Sequence, residues 1–173
     1  MPEIAFVGRS NVGKSSLLNS LVNRKRLAKV SNTPGRTQLV NFFVVNGDIR
    51  FVDLPGYGFA KAPKEVKATW DAMIRGYLEN NPELRAICAL FDIRRELSEE
   101  DYALLRWIKH YGIPFVAVLT KADKFVRSQQ AQALKRIAAD LEQFKPASVQ
   151  LYSTTGRMGR DELLKVLGDL LNA

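Results

Sequence analysis

A glycine-rich segment near the amino terminus has the residue types and the spacing of a phosphate-binding loop. Residues 8–15 read GRSNVGKS and fit the pattern GxxxxGK[ST]. The glycines allow a tight loop whose N–H groups point inward, Lys14 adds a positive charge, and the hydroxyl of Ser15 suits Mg²⁺. An apolar run, Ile4–Val7, precedes the loop, and a helical pattern starts at Lys14, which is the context that such a loop requires. The predicted phosphate contacts are Gly8, Arg9, Ser10, Asn11, Val12, Gly13, Lys14, Ser15 and Ser16.

Two further segments could complete a magnesium and γ-phosphate site. Residues 53–56 read DLPG and follow an apolar run, so the Asp53 carboxylate can hold the water shell of the metal and the Gly56 N–H can meet a γ-phosphate. Thr37 lies in an irregular stretch and can ligate Mg²⁺ when a γ-phosphate is present. The predicted metal ligands are Ser15, Thr37 and Asp53, and the predicted catalytic residues include Lys14, Thr37 and Gly56. The further predicted contacts with the nucleotide are Gly35, Arg36, Gln38, Leu39, Leu54 and Pro55.

A third segment predicts which base is recognised. Residues 120–123 read TKAD, similar to the [NT]KxD element of GTPases, and follow an apolar run at the sheet edge where open α/β folds bind ligands. One carboxylate, Asp123, can accept from both N1–H and the amine of guanine, whereas adenine lacks this donor pair. The stem of Lys121 would cover the base, and backbone N–H groups of Ser153 and Thr154 could reach guanine O6. The predicted base contacts are Thr120, Lys121, Ala122, Asp123, Tyr152, Ser153 and Thr154.

The elements that must position these segments alternate between strands and helices. The predicted strands are Ile4–Val7, Val40–Val45, Ile49–Val52, Ala86–Phe91, Phe115–Leu119 and Ser148–Tyr152; the predicted helices are Lys14–Val22, Lys64–Leu78, Glu99–His110, Ser128–Phe144 and Asp161–Leu171. The alternation favours a parallel sheet, except that Asn46-Gly47 predicts a hairpin and one antiparallel edge strand. The predicted fold is a three-layer α/β/α domain of the P-loop type, formed as a single domain by residues 1–173.

Composition limits the class of protein. The chain has 26 Lys and Arg against 18 Asp and Glu, a net charge of +8, which favours polyanionic partners, nucleic acid before membrane. Its single cysteine, Cys88, excludes a disulfide framework within the chain, and its apolar neighbours predict a buried thiol. We find neither a signal peptide nor an apolar run of membrane-spanning length, and we expect a cytoplasmic monomer without membrane insertion.

Four strings together resemble the EngB family of bacterial GTPases. They are GRSNVGKSS at residues 8–16, PGRTQ at 34–38, DLPGYG at 53–58 and TKAD at 120–123, and the match spans nearly the whole chain. The resemblance implies a Ras-like G domain of the Era-type branch that binds and hydrolyses GTP with Mg²⁺. It also implies a cytoplasmic role in assembly of the large ribosomal subunit and a link to cell division and septation. Members usually carry a short segment before the first strand, whereas here Met1-Pro2 leads directly into it; a truncated and a short natural form would both explain this.

The residue after DLPG departs from the Ras pattern. Ras-like proteins place a glutamine there to orient the attacking water, and this chain has Tyr57, so we expect slow intrinsic hydrolysis. A partner, a backbone-held water or a monovalent cation could substitute. In related GTPases activated by K⁺, an asparagine at the position of Asn11 ligates the ion, and this resemblance makes Asn11 a candidate catalytic residue and K⁺ a candidate cofactor. Arg36 is an alternative within the chain.

Two other functions fit parts of the pattern. A GTP-binding division factor at the membrane would also carry these motifs, but no amphipathic anchor or lipidation signal supports it. A metabolic P-loop kinase or ATPase would need an acceptor site and a lid, for which the chain has no large insertion, and Asp123 argues against ATP.

Overall fold

The computed structural model describes residues 1–23, 40–58 and 63–173. Its strands are β1 Glu3–Gly8, β2 Asn41–Val45, β3 Ile49–Asp53, β4 Leu84–Asp92, β5 Phe115–Thr120 and β6 Ser148–Leu151. Its helices are α1 Lys14–Leu21, α2 Lys64–Leu78, α3 Glu99–His110, α4 Arg127–Leu141 and α5 Arg160–Asn172. Several residues named above lie outside the described ranges: Arg36 and Thr37, with Gly35, Gln38 and Leu39.

The strands form one sheet in the order β2-β3-β1-β4-β5-β6. All neighbouring pairs are parallel except β2 and β3, which are antiparallel. The predicted hairpin joins them: Asn46 and Gly47 have φ values of 54° and 83°, the positive values that a tight hairpin turn favours in Asn-Gly. The predicted fold class is confirmed. Because β3 lies beside β1, residues 53–56 leave the sheet next to the loop at 8–15.

Two apolar cores lie on opposite faces of the sheet. Alternate residues of β1 point to each face, so Phe6 packs with α1 and α5, whereas Val7 packs with α2, α3 and α4. Both faces of the central strands are buried, which explains why these strands read as continuous apolar runs. Cys88 is fully buried as expected, and burial raises the pKa of its thiol.

Differences from the sequence prediction are confined to element ends. The predicted helix Ser128–Phe144 is α4 followed by a 3₁₀ turn at Glu142–Phe144. Lys145 then ends this turn in the left-handed conformation common at helix ends, φ 51°, and Pro146, which follows, cannot continue a helix. These shifts leave the carboxyl edge of the sheet unchanged, and the candidate site lies there.

Candidate functional site

The loop between β1 and α1 ends in an uncapped helix. Gly13, the residue before α1, has φ 100° and no side chain that could accept from the first N–H groups of the helix, and Asn11 also has a positive φ of 65°. The first N–H groups of a helix have no acceptor one turn earlier. In α1 these belong to Lys14, Ser15 and Ser16, and together with the helix dipole they favour an anion such as phosphate.

Contacts from neighbouring strands fix the shape of this loop. A Cβ atom on Gly8 would lie 2.8 Å from Cγ1 of Val12 and 3.0 Å from the carbonyl oxygen of Leu90, so only glycine fits. The Thr120 hydroxyl donates to the Val12 carbonyl at 2.7 Å. The Lys121 ammonium donates to the Asn11 carbonyl, also at 2.7 Å. Residues predicted to read the base therefore also hold the phosphate loop.

Lys14 and Asp53 form the charged centre of the site. The Lys14 ammonium contacts the Leu54 carbonyl oxygen and lies 2.6 Å from Oδ1 of Asp53. Within the described residues, Asp53 Oδ1 is buried and has no hydrogen-bond donor beside this ion pair. A buried carboxylate oxygen in this condition fits a magnesium ion or one of its waters, and the exposed Ser15 at the start of α1 supplies a hydroxyl.

The protein offers few ligands of its own to such a metal. Among residues 1–23, 40–58 and 63–173, no group of three or more His, Cys, Asp or Glu side chains could hold an ion. Mg²⁺ commonly binds through one or two carboxylates together with substrate phosphates and waters. The donor set of Ser15 and Asp53 therefore fits a metal that binds with a nucleotide.

The segment after β3 packs directly on the phosphate loop. The Ser10 N–H donates to the Tyr57 carbonyl at 2.8 Å, and a Cβ atom on Gly56 would lie 3.2 Å from the nitrogen of Ser10. The side chain of Tyr57 is buried, and its hydroxyl donates to Oδ1 of Asp101 at 2.5 Å. Burial and the Asp101 charge raise the pKa of Tyr57 well above its usual value, which keeps the hydroxyl protonated as a donor.

The predicted base-reading residues meet on the other side of the loop. Asp123 is exposed, and its Oδ1 accepts a hydrogen bond of 2.7 Å from the Ser153 hydroxyl. The prediction that the Ser153 N–H serves the base is wrong, because this N–H donates to the Met158 carbonyl at 3.0 Å in a β-bridge. Ser153 instead orients Asp123, and its hydroxyl also accepts from the Gly156 N–H at 2.8 Å. Tyr152 is buried, and its carbonyl accepts from the Ala122 N–H.

One cleft connects the phosphate loop with the base-reading loop. Its volume is about 260 Å³. The residues that line it include Gly13, Ser16, Lys121, Asp123 and Thr154. The start of α1, the segment 120–123 and Thr154, which are distant in sequence, therefore border one space.

Asp92 belongs to this site and was missed by the sequence reasoning. Its Oδ1 accepts from the backbone N–H of Arg94 at 3.0 Å and from Nε at 3.1 Å, its Oδ2 accepts from Nη2 at 2.9 Å, and the Lys121 ammonium lies 3.5 Å away. Burial raises the pKa of Asp92, but the hydrogen bonds from Arg94 and the charges of Arg94 and Lys121 outweigh it and lower the pKa to about 2. The available signal was position: Asp92 ends β4 at the carboxyl edge, as Asp53 ends β3.

Comparison with known proteins agrees with this geometry. A family model described as a 50S ribosome-binding GTPase matches residues 3–121. Relatives named probable GTP-binding protein EngB include one from Desulfosudis oleivorans, 47% identical over 96% of this chain and 84% of the relative. Another, from Clostridium perfringens, is 48% identical over 98% of this chain and 86% of the relative. The chain belongs to the EngB family of GTP-binding proteins. This family consists of GTPases, which agrees with a cleft that has the features of a guanine-nucleotide site.

Solved structures show the same fold. A crystal structure of a probable GTP-binding protein EngB matches this EngB-family chain with a TM-score of 0.76 at 22% identity and covers 98% of each chain. A variant of Era from Aquifex aeolicus bound to GDP·AlF4⁻ matches with a TM-score of 0.72 at 25% identity, over 98% of this chain and 56% of Era. Within the described ranges, none of the helices combines the length and the apolar character that crossing a membrane requires.

Proposed function

We propose that this EngB-family chain, as one G domain over residues 1–173, binds GTP and GDP with Mg²⁺ and hydrolyses GTP as a molecular switch. The observation that carries the proposal is the single cleft between the uncapped start of α1 and the exposed carboxylate of Asp123. The phosphates would lie on the N–H groups at the start of α1, and the base would lie against Asp123 and Lys121.

Each residue then has a defined task. Lys14 would exchange its contact with Asp53 for the phosphate oxygens, and Gly56, which packs against the loop at Ser10, would offer its N–H to the γ-phosphate. Ser15 and Asp53 would hold Mg²⁺, with Thr37 added in the GTP state. When bound, Mg²⁺ would neutralise charge that develops on the phosphate oxygens. In the GTP state, contact with the γ-phosphate would draw Thr37 toward the nucleotide, and loss of the phosphate would release it. Gly56 would offer its N–H from a place that Trp70 and the phosphate loop already hold.

Slow hydrolysis and a role for K⁺ are part of the proposal. Tyr57 occupies the position of the glutamine that usually orients the attacking water. Its hydroxyl is bonded to Asp101, so we expect it not to take over that task. Asn11 is exposed in the phosphate loop and has a left-handed backbone conformation. Its carbonyl accepts a hydrogen bond from the Lys121 ammonium. We expect faster hydrolysis in KCl than in NaCl, and Asn11→Ala should abolish the difference. Equal rates of the wild type in the two salts would remove K⁺ from the mechanism.

The partner we propose is the large ribosomal subunit or its precursor. The switch would act in the cytoplasm in assembly of this subunit, and it would be linked to cell division and septation. Two observations support it: the matching family model is described as a 50S ribosome-binding GTPase, and the net charge of +8 favours a polyanionic partner such as ribosomal RNA. Monomeric protein should pellet with large subunits in a nucleotide-dependent manner. Pelleting with membranes instead would favour a division factor.

The nucleotide assignment has its own test. Asp123→Asn keeps an oxygen acceptor for the Ser153 hydroxyl but replaces the second oxygen with a donor, which suits xanthine and opposes guanine. We expect the affinity for GDP to fall on the order of 100-fold and XDP to become the preferred ligand. Competition against fluorescent nucleotide with GTP, GDP, XDP and ATP measures this, and Asp161→Asn at an exposed position is the charge-matched control. ATP that competes as well as GTP with the wild type would refute the proposed function.

A further inference from the structure

The segment that carries Gly56 is tied to two helices on either side of that glycine. The indole N–H of Trp70, in α2, donates to the Pro55 carbonyl at 2.8 Å. The hydroxyl of Tyr57 donates to Oδ1 of Asp101, in α3, at 2.5 Å. The residue before Gly56 and the residue after it are therefore both fixed by side-chain hydrogen bonds.

The acceptor on α3 is itself held rigidly. Asp101 is 3% exposed, and its second oxygen accepts from the Ser98 N–H at 2.8 Å, while the Ser98 hydroxyl accepts from the Asp101 N–H at 3.2 Å. This reciprocal pair is the capping box of α3. A carboxylate that caps a helix cannot move without breaking that cap, so Tyr57 is tied to the position of α3.

Aromatic rings connect the two ties. The ring of Tyr57 packs on Trp70 with centroids 5.0 Å apart, and Trp70 stacks on Trp107 of α3 at 6.0 Å. The main chain of Tyr57 meanwhile pairs with the phosphate loop through the Ser10 N–H. Tyr57 thus joins the phosphate loop on its backbone side to α2 and α3 on its side-chain side.

We propose that Tyr57 is a positioning residue for GTP hydrolysis. Its hydroxyl, held by Asp101, sets the place of the Gly56 N–H relative to the γ-phosphate, and through Trp70 it transmits the arrival of that phosphate to α2. The inference rests on the proposed function. In place of a side chain that touches the attacking water, this chain has one that fixes the neighbouring amide from the protein interior. The planar peptide between Gly56 and Tyr57 carries a shift of the Tyr57 α-carbon to the Gly56 carbonyl and α-carbon. The Gly56 N–H lies in the preceding planar peptide, whose Pro55 carbonyl is held by Trp70, so the two ties together fix this N–H.

If the Tyr57 hydroxyl served only the stability of the fold, its loss would not affect hydrolysis more than the loss of a similar hydroxyl elsewhere. A second tyrosine provides this control. Tyr77, in α2, donates a hydrogen bond from its hydroxyl to Oε2 of Glu3 at 2.8 Å. Like Tyr57, it is a tyrosine bonded to a buried carboxylate. Glu3 begins β1, whereas the phosphate loop follows the end of this strand. Tyr57→Phe and Tyr77→Phe therefore remove the same kind of bond at opposite edges of the sheet.

The experiment compares these two variants with the wild type by single-turnover GTP hydrolysis and by equilibrium binding of GDP and of a non-hydrolysable GTP analogue. For Tyr57→Phe we expect hydrolysis to fall about tenfold, the order of one hydrogen bond to a charged group. The affinity for GDP, which does not use Gly56, should change less than about twofold, while the preference for the analogue falls. Tyr77→Phe should leave all three quantities unchanged. Normal hydrolysis by Tyr57→Phe, or equal losses in both variants or in GDP binding, would overturn the proposal.

Tryptophan fluorescence gives a second test that does not depend on hydrolysis. The chain has two tryptophans, so in the Trp107→Phe background Trp70 is the only one. Its emission should change with the GTP analogue but not with GDP, and Tyr57→Phe should abolish this change. If Tyr57→Phe is poorly folded, Trp70→Phe removes the other tie and should lower hydrolysis with the affinity for GDP retained. Identical emission with both nucleotides would refute the link to α2, whereas a wild type that binds neither would refute the proposed function instead.

Discussion

Replacing Asp92 by asparagine should lower both the free energy of unfolding and the affinity for nucleotide, although Asp92 lies in none of the recognised motifs. The Asp92 carboxylate is 8% exposed and accepts three hydrogen bonds from Arg94. It also lies 3.5 Å from the ammonium of Lys121, the residue whose stem we place over the base. Asparagine preserves one oxygen, toward the Arg94 backbone and Nε, but places an NH₂ group where Oδ2 faces two cations.

The size of the effect follows from what is lost. A hydrogen bond to a charged group contributes about 1.5–3 kcal/mol, and the Arg94 side chain is 41% exposed, so solvent screening reduces the loss to about 1–2 kcal/mol. For a chain of this length that lowers Tm by about 3–6 °C. Lys121 keeps its bond to the Asn11 carbonyl, so we expect GDP affinity to fall only about three- to tenfold.

Two measurements check this, thermal or urea unfolding and titration with fluorescent GDP, with Asp161→Asn as the charge-matched control at a 92% exposed carboxylate. The pKa of Asp92 is lowered to about 2 from an ordinary value of 3.8. Its stabilisation is therefore fully present above the ordinary value and is lost as the pH falls through about 2. The advantage of the wild type over Asp92→Asn should shrink between pH 4 and pH 2. Equal stability at pH 7, or a difference that stays constant down to pH 2, would refute this reasoning.

Three further outcomes are expected around the same cleft. Thr120→Val removes the hydroxyl that donates to the Val12 carbonyl and should cost about 1–2 kcal/mol of unfolding free energy, with weaker GDP binding in the same titration. Gly8→Ala places a Cβ atom 2.8 Å from Val12 and 3.0 Å from the Leu90 carbonyl, and should destabilise by about 1–3 kcal/mol in urea unfolding. Cys88 should resist a thiol reagent in the native protein and react fully in urea, since it is buried and burial raises its pKa; rapid native labelling would contradict this.

The fold was predictable because local and global signals agree in this chain. The two buried faces of β1 give an uninterrupted apolar run, and the Asn46-Gly47 turn specifies the one antiparallel pair. Element ends were less predictable. The end of α4 depends on the left-handed Lys145 and on Pro146, a signal that helical periodicity alone does not contain.

The candidate site was predictable where one motif contains the chemistry, and not where a side chain serves a neighbour. Their motifs predict tasks for Lys14 and Asp123, and the structure places Lys14 at the start of α1 and Asp123 directly after β5, as those motifs require. Asp92 acts on Lys121, and the Ser153 hydroxyl acts on Asp123, through contacts that arise only when the carboxyl edges of separate strands meet. The prediction for Ser153 failed because a β-bridge to Met158 uses its N–H, and this pairing has no local sequence signature.

The hydrogen bonds at this edge connect the two ends of the nucleotide site. The Thr120 hydroxyl and the Lys121 ammonium, both in the base-reading segment, donate to consecutive carbonyls of the phosphate loop, those of Val12 and Asn11. These two bonds use carbonyl oxygens, and the N–H groups at the start of α1, those of Lys14, Ser15 and Ser16, remain directed at the place of an anion. Recognition of guanine and recognition of phosphate therefore share one support, so substitutions at the two ends should be non-additive, as expected for residues within one hydrogen-bond network. A substitution at Thr120 or Lys121 should therefore affect binding of both the base and the phosphates.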